Sequence, residues 1–128
     1  FDLADDEMEV GMGQHGEAGT GKSKMMTANE TAEIMATQLL KAIKAKSGDR
    51  LLVILNGAGA TTLMELFIIF RKVKQFLSDK GIAATKVIID EVLTVQEMAG
   101  FQMFMAKMDD ELIALWDATC DTPYLTVR

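Results

Sequence analysis

Apolar and polar positions fall into blocks of distinct period along this chain. Met8, Val10 and Met12 alternate with Glu9 and Gly11, the two-residue period of a half-buried strand. A glycine-rich stretch follows. Ala32, Met35, Ala36, Leu39, Leu40 and Ile43 then recur on one face at helical spacing, which predicts an amphipathic helix over residues 28–46. Thr27 and Glu30 give it a capping box, and Ser47-Gly48-Asp49 ends it. The unbroken run from Leu51 to Leu55 predicts a central strand over residues 50–55, covered on both faces. Asn56-Gly57-Ala58-Gly59-Ala60 is a second glycine turn, leading into a helix capped by Thr61 or Thr62. Leu63, Leu66, Phe67, Phe70, Val73 and Leu77 line one face of that helix, widened by Ile68, Ile69 and Phe76. So apolar a helix is expected to lie between the sheet and another subunit or domain. Gly81 stands where a helix-terminating glycine belongs.

The pattern continues with a strand over residues 86–93. Thr94-Val95-Gln96-Glu97, a further capping box, predicts a short helical turn closed by Gly100. Residues 101–107 read as another strand. Asp109-Asp110-Glu111 place negative charge at the start of a last helix running through Trp116, where it favours the helix dipole. Thr122-Pro123 begins an extended tail. This strand–helix order predicts an α/β fold, a two-layer domain with a mixed β-sheet, with one sheet face less covered than the other.

Composition narrows the function classes. At 128 residues the chain suffices for one domain with a real core, taken as residues 1–128. The net charge of −6 lacks the clustered Lys and Arg of a nucleic-acid footprint. No apolar run is long enough to cross a bilayer, and no secretory signal opens the chain. A single cysteine, Cys120, points to a reducing cytoplasm, and with one histidine the chain has no ligand set for structural zinc. The start at Phe1 leads us to expect a piece of a longer protein. The ten methionines read as core filler, with Met35, Met64, Met103 and Met105 at core positions.

Candidate chemistry concentrates between Gly11 and Ser23, which holds the sole histidine. Gly11-Met12-Gly13-Gln14-His15-Gly16 matches a dinucleotide fingerprint, but no helix opens inside the loop as that motif needs. Gly16-Glu17-Ala18-Gly19-Thr20-Gly21-Lys22-Ser23 matches the phosphate-binding P-loop in full, and residues 87–91 imitate its strand ending in a magnesium-holding acid. A P-loop should leave a buried strand and open a helix at Lys22, whereas the strongest helix start is Thr27. A P-loop nucleotide-binding module is therefore a minor alternative. His15 has two roles open to it. It can donate a hydrogen bond as an ordinary loop residue, or act as a nucleophile through its neutral ring, with Gly13 and Gly16 clearing space and Glu17 orienting the imidazole.

The run Leu3-Ala4-Asp5-Asp6-Glu7-Met8-Glu9-Val10-Gly11-Met12-Gly13-Gln14-His15-Gly16-Glu17-Ala18-Gly19 resembles the substrate-anchoring segment of the dihydroxyacetone (glycerone) kinase family, in its substrate-binding K subunit. Residues 56–66, the run Glu97-Met98-Ala99-Gly100-Phe101, the run Met108-Asp109-Asp110-Glu111-Leu112 and residues 116–123 are similar to later parts of the same subunit, so the resemblance covers essentially the whole chain. It implies that the chain is the second domain of a two-domain subunit. It further implies that His15 adds covalently to the carbonyl of dihydroxyacetone as a hemiaminal, in aid of phosphoryl transfer. The catalytic base would come from the absent N-terminal domain, so this fragment of a glycerone kinase would not be active alone. No cofactor is implied in this chain; nucleotide and magnesium would sit on a helical partner subunit or domain, and the subunit is expected to be a homodimer. Gln14, where the family has an apolar residue, and Ala18, where it usually has proline, depart from the pattern. A non-catalytic dihydroxyacetone sensor of the same family is the other alternative.

Overall fold

The computed structural model describes residues 3–13, 17, 19 and 21–127. Its elements run β1 (Glu7–Glu9), β2 (Lys22–Lys24), α1 (Ala28–Ala42), β3 (Arg50–Gly59), α2 (Leu63–Asp79), β4 (Ala83–Asp90), β5 (Ala99–Lys107), α3 (Asp110–Trp116), β6 (Cys120–Asp121) and β7 (Thr126–Val127).

The apolar run of β3 becomes the middle strand of a three-stranded mixed sheet, ordered β4-β3-β5. It pairs parallel with β4 and antiparallel with β5, the latter from Leu51↔Lys107 to Gly59↔Ala99. Side chains alternate across a strand, and this alternation sorts the sheet into two unlike faces. Leu51, Val53 and Leu55 are fully buried, and they share the core with Met103 and Met105 of β5. Against them pack Ala32, Ala36 and Leu40 of α1 and Ile69, Val73 and Leu77 of α2. On the other face Leu52 and Ile54 are only half-buried, and Phe104 is 49% exposed. The domain is two-layered as expected, although the strand whose alternation suggested it lies outside the main sheet, and β3 is not covered equally on both faces.

Both long helices begin as the sequence prescribes. Thr27 caps α1 and Thr62, not Thr61, caps α2, each in a reciprocal box with the glutamate three residues on. Gly81 follows the C-cap of α2 with φ +69°. α1 stops at Ala42, four residues short of the expected end. Asp109 caps α3 by accepting the Leu112 N–H at 2.8 Å, while Asp110 pairs with Arg50 at 2.7 Å.

Further expectations are corrected: residues 56–59 are the end of β3 and not a turn, and the strand expected over residues 86–93 is β4, Ala83–Asp90. The first strand is only Glu7–Glu9 and lies outside the main sheet, because it pairs antiparallel with β2 in a separate hairpin. Residues 94–97 form no capped helix: the Thr94 hydroxyl accepts the Gly59 N–H at 2.9 Å, the Met98 N–H closes a single turn on the Val95 carbonyl at 3.1 Å, and Gly100 belongs to β5. Thr122-Pro123 does not start a tail but a tight turn, closed by the Leu125 N–H on the Thr122 hydroxyl between β6 and β7. Met64 is 70% exposed and fills no core; it belongs with Leu63, Phe67 and Ile68 to an uncovered stripe at the start of α2.

Candidate functional site

The glycine-rich stretch is the loop of the β1–β2 hairpin. Its described residues are held by two internal bonds. The Gly13 N–H donates to the Glu17 carbonyl at 2.9 Å. The Gly19 N–H donates to Oε1 of Glu9 at 3.0 Å. Gly19 lies so close to the backbone of Val10 and Met12 that no Cβ could be accommodated there. Over Gly13 it is the Glu17 side chain, not backbone, that takes the place of a Cβ, and Glu17 is exposed. His15 and Gly16 lie outside the described residues. Gly13 and Glu17, the two other residues picked out from sequence, are thus brought together across the segment that contains His15.

The geometry of the P-loop is not that of this segment. Lys22 and Ser23 sit in β2, opposite Glu9 and Met8, and the first helix begins six residues after Lys22. The Lys22 ammonium stands 3.8 Å from Glu7. Among the described residues no group of three His, Cys, Asp or Glu could hold a metal ion, and no helix is long and apolar enough to cross a membrane.

A cleft of about 990 Å³ separates the hairpin from the body of the domain. Met8, Val10, Met12 and Gly13 line it from the hairpin, and Met35, Leu39 and Met103 from the body. Its third wall is the crossover at residues 91–98, which carries the chain from one sheet edge to the other over the end of β3. A crossover has no strand neighbour, so its backbone groups need other partners. Asn56, only 2% exposed, supplies them. Its Oδ1 accepts the N–H of Val92 at 2.7 Å and of Leu93 at 2.9 Å. Its amide donates to the Leu93 carbonyl at 2.7 Å and to Oε1 of Gln102 at 2.9 Å. All four hydrogen-bonding positions of the side chain are used. The Ala60 N–H on the Met98 carbonyl, at 2.8 Å, ties the far end.

Sequence reasoning missed Asn56, Glu9 and the cleft itself. For Asn56 there was a signal: an amide ends an otherwise apolar central run, where a buried polar group demands partners. Glu9 carries no such mark, because an acid alternating with apolar residues reads as solvated.

Comparisons with known proteins agree with one another. The Dak1 domain matches residues 1–124. The dihydroxyacetone-binding subunit DhaK of the PTS-dependent dihydroxyacetone kinase 2 of Listeria innocua is 33% identical over 99% of this chain, which spans 38% of that protein. The L-erythrulose kinase of Pectobacterium atrosepticum is 37% identical over 96% of the chain and 22% of its own length. Among solved structures, the dihydroxyacetone kinase operon co-activator Dha-DhaQ superposes with a TM-score of 0.83 at 25% identity, covering 93% of this chain and 38% of that one.

Proposed function

The chain belongs to the Dak1 family of dihydroxyacetone kinases, and from that premise we propose that it is the ketose-anchoring domain of a kinase subunit, with His15 as the covalent anchor. The observation that carries this reading is the closure of the hairpin loop. The Gly13–Glu17 and Glu9–Gly19 bonds fix the described backbone on both sides of residues 14–16, and Glu9 and Gly13 line the cleft. Bracing on both flanks lowers the entropic cost of binding at the segment between them.

The chemistry follows from the imidazole. The lone pair of a neutral ring nitrogen adds to the ketone carbon, forming the C–N bond. The carbonyl π pair moves to oxygen, which takes up a proton, and the other ring nitrogen gives one up. The product is a neutral hemiaminal. A polyol without a carbonyl cannot react. The adduct moves no phosphate; it positions a terminal hydroxyl for in-line transfer. The proton acceptor for that hydroxyl belongs to the N-terminal domain of the longer subunit, and nucleotide with magnesium to a helical partner. A homodimer is part of the same proposal, supported by the uncovered stripe Leu63, Met64, Phe67 and Ile68. A cytoplasmic location completes it.

Mass spectrometry of the full-length protein after mixing with dihydroxyacetone tests the anchor. The adduct retains both reactants' atoms, so the expected gain is one molecule of ketose, absent with glycerol and absent in His15→Asn. Occupancy should fall on acidification, because a protonated imidazole has no lone pair free to add to the carbonyl. Covalent capture retained by His15→Asn would overturn the assignment. A ligand sensor without transfer activity is the second reading, favoured by the similarity to the co-activator. Phosphoryl transfer to dihydroxyacetone by the full-length protein with its donor separates the two.

A further inference from the structure

The cleft beside the hairpin is poorly matched to a small polyhydroxy ketone. It is several times larger than a triose, and methionines dominate its walls. Met8, Met12, Met25 and Met26 contribute from the hairpin and the segment after it; Met35, Met98 and Met103 contribute from the body. Seven of the chain's ten methionines therefore meet at one surface. Methionine is unbranched and polarisable, and a surface built from it adapts to apolar side chains of varied shape. The charge at this surface is one-sided. Glu7, Glu9, Glu65 and Glu97 line the cleft, and among its described lining residues there is no Lys or Arg. Glu7 also pairs with the Lys22 ammonium at 3.8 Å, while Glu9 accepts from Gly19 and Glu65 from Thr62. The donors to Glu9 and Glu65 are neutral, so the negative rim is carried by Glu9, Glu65 and Glu97.

We propose that this cleft is a docking groove for an amphipathic helix of a partner protein, with apolar side chains along one face and basic side chains flanking them. The methionines receive the apolar face, and the glutamate rim selects basic over acidic flanks. This surface is additional to ketose anchoring: the ligand is a protein segment and the contacts are non-covalent.

The test uses the full-length protein carrying [13C-methyl]methionine, with two peptide probes of equal length and identical apolar positions. One is a leucine/lysine amphipathic helix and the other its leucine/glutamate counterpart. The cleft methionines should shift on adding the lysine peptide, while Met64, Met105 and Met108, which lie outside the cleft, should not. Affinity for the lysine peptide should exceed that for the glutamate peptide at least tenfold at low salt, and Glu97→Lys should weaken it several-fold. Equal binding of both peptides, shifts confined to Met64, or no shifts at all would overturn the proposal. His15→Asn separates the two sites. That variant should lose the ketose adduct and keep the peptide response, so either reading can fail without the other.

Discussion

Two glycine-rich segments, residues 11–21 and 56–60, are alike in composition and are secured by different means. The second is knitted into the sheet. Asn56, Gly57, Ala58 and Gly59 pair with β5, and the crossover lies across them, bonded to Asn56, Gly59 and Ala60. The described residues of the first are fastened to one another and to their own hairpin, through Gly13–Glu17 and Glu9–Gly19. Glycine serves close packing in one and close backbone approach within a loop in the other. What separates them is who supplies the partners, and that decides how far a disturbance travels: through the whole domain from residues 56–60, no farther than the hairpin from residues 11–21.

The largest expected effect breaks the knitted segment at Gly59. Its φ of +69° is a left-handed conformation, and a Cβ there would overlap the Met98 carbonyl and crowd that of Val95. Backbone cannot yield as a flexible side chain can. Gly59→Ala should cost about 3–5 kcal/mol, at the upper end for a single substitution. Denaturant unfolding checks it; a loss below about 1 kcal/mol would mean that the crossover moves aside freely.

Asn56→Ala comes next. It strips partners from two backbone N–H groups, one carbonyl and the Gln102 amide, at about 1–3 kcal/mol for each group that water does not reach. Because water enters once the crossover loosens, a total of about 2–4 kcal/mol is expected. Hydrogen exchange should rise at Val92 and Leu93 before it rises in the strand β3 itself. Asn56→Asp keeps the acceptor and loses the donors, so exchange at those two amides should rise less than in the alanine variant.

The same contrast explains what could be read from sequence. Caps, the central strand and the apolar faces of α1 and α2 depend on local pattern, and Thr27, Thr62, Leu51–Leu55 and Gly81 announce them. The 94–97 box misleads because Thr94 is claimed by Gly59, thirty-five residues away, and a capping box is only as good as the hydroxyl's freedom to cap. Met8–Met12 misleads for a related reason. Alternation marks a strand without naming its partner, and β2, a Lys-Ser-Lys strand with no apolar signal, is the partner. The cleft is assembled from methionines scattered between positions 8 and 103, each unremarkable in its own element. Recognition of the site rested on Gly-Gln-His-Gly-Glu and its neighbours as a family pattern; spacing alone left His15 with two roles.

A disturbance in the first segment should stay local. Glu9→Ala removes the carboxylate that holds the Gly19 N–H. Global stability should change by less than about 1 kcal/mol, since the bond is a single one in a peripheral hairpin. Exchange at Gly19 should rise and ketose capture should weaken, while Val92 and Leu93 stay protected. Protection lost at both segments together would show that the hairpin and the crossover open as one unit, contrary to the separation drawn above.

The smallest expected difference is between the two helix caps, one at the start of α1 and the other just past residues 56–60. The carboxyls of Glu30 and Glu65 lie below the usual glutamate range, through hydrogen bonds from their cap residues. For Glu30 the larger cause is the Thr27 side chain; for Glu65 it is the Thr62 backbone N–H. A carboxylate with a lowered folded pKa contributes stability that is present above its unfolded value, about 4.3, and lost as pH falls through the folded value. Thr27→Ala and Thr62→Ala should each cost about 1 kcal/mol at neutral pH as lost caps. They should differ in acid. Thr27→Ala removes the main cause of the Glu30 shift, so its deficit relative to the parent should shrink below about pH 4. Thr62→Ala leaves the backbone donor of residue 62 in place, so its deficit should change less over the same range. Unfolding midpoints measured from pH 3 to 7 decide this, and identical pH profiles for the two variants would mean that the threonine hydroxyls act on helix geometry alone and not on the carboxylates.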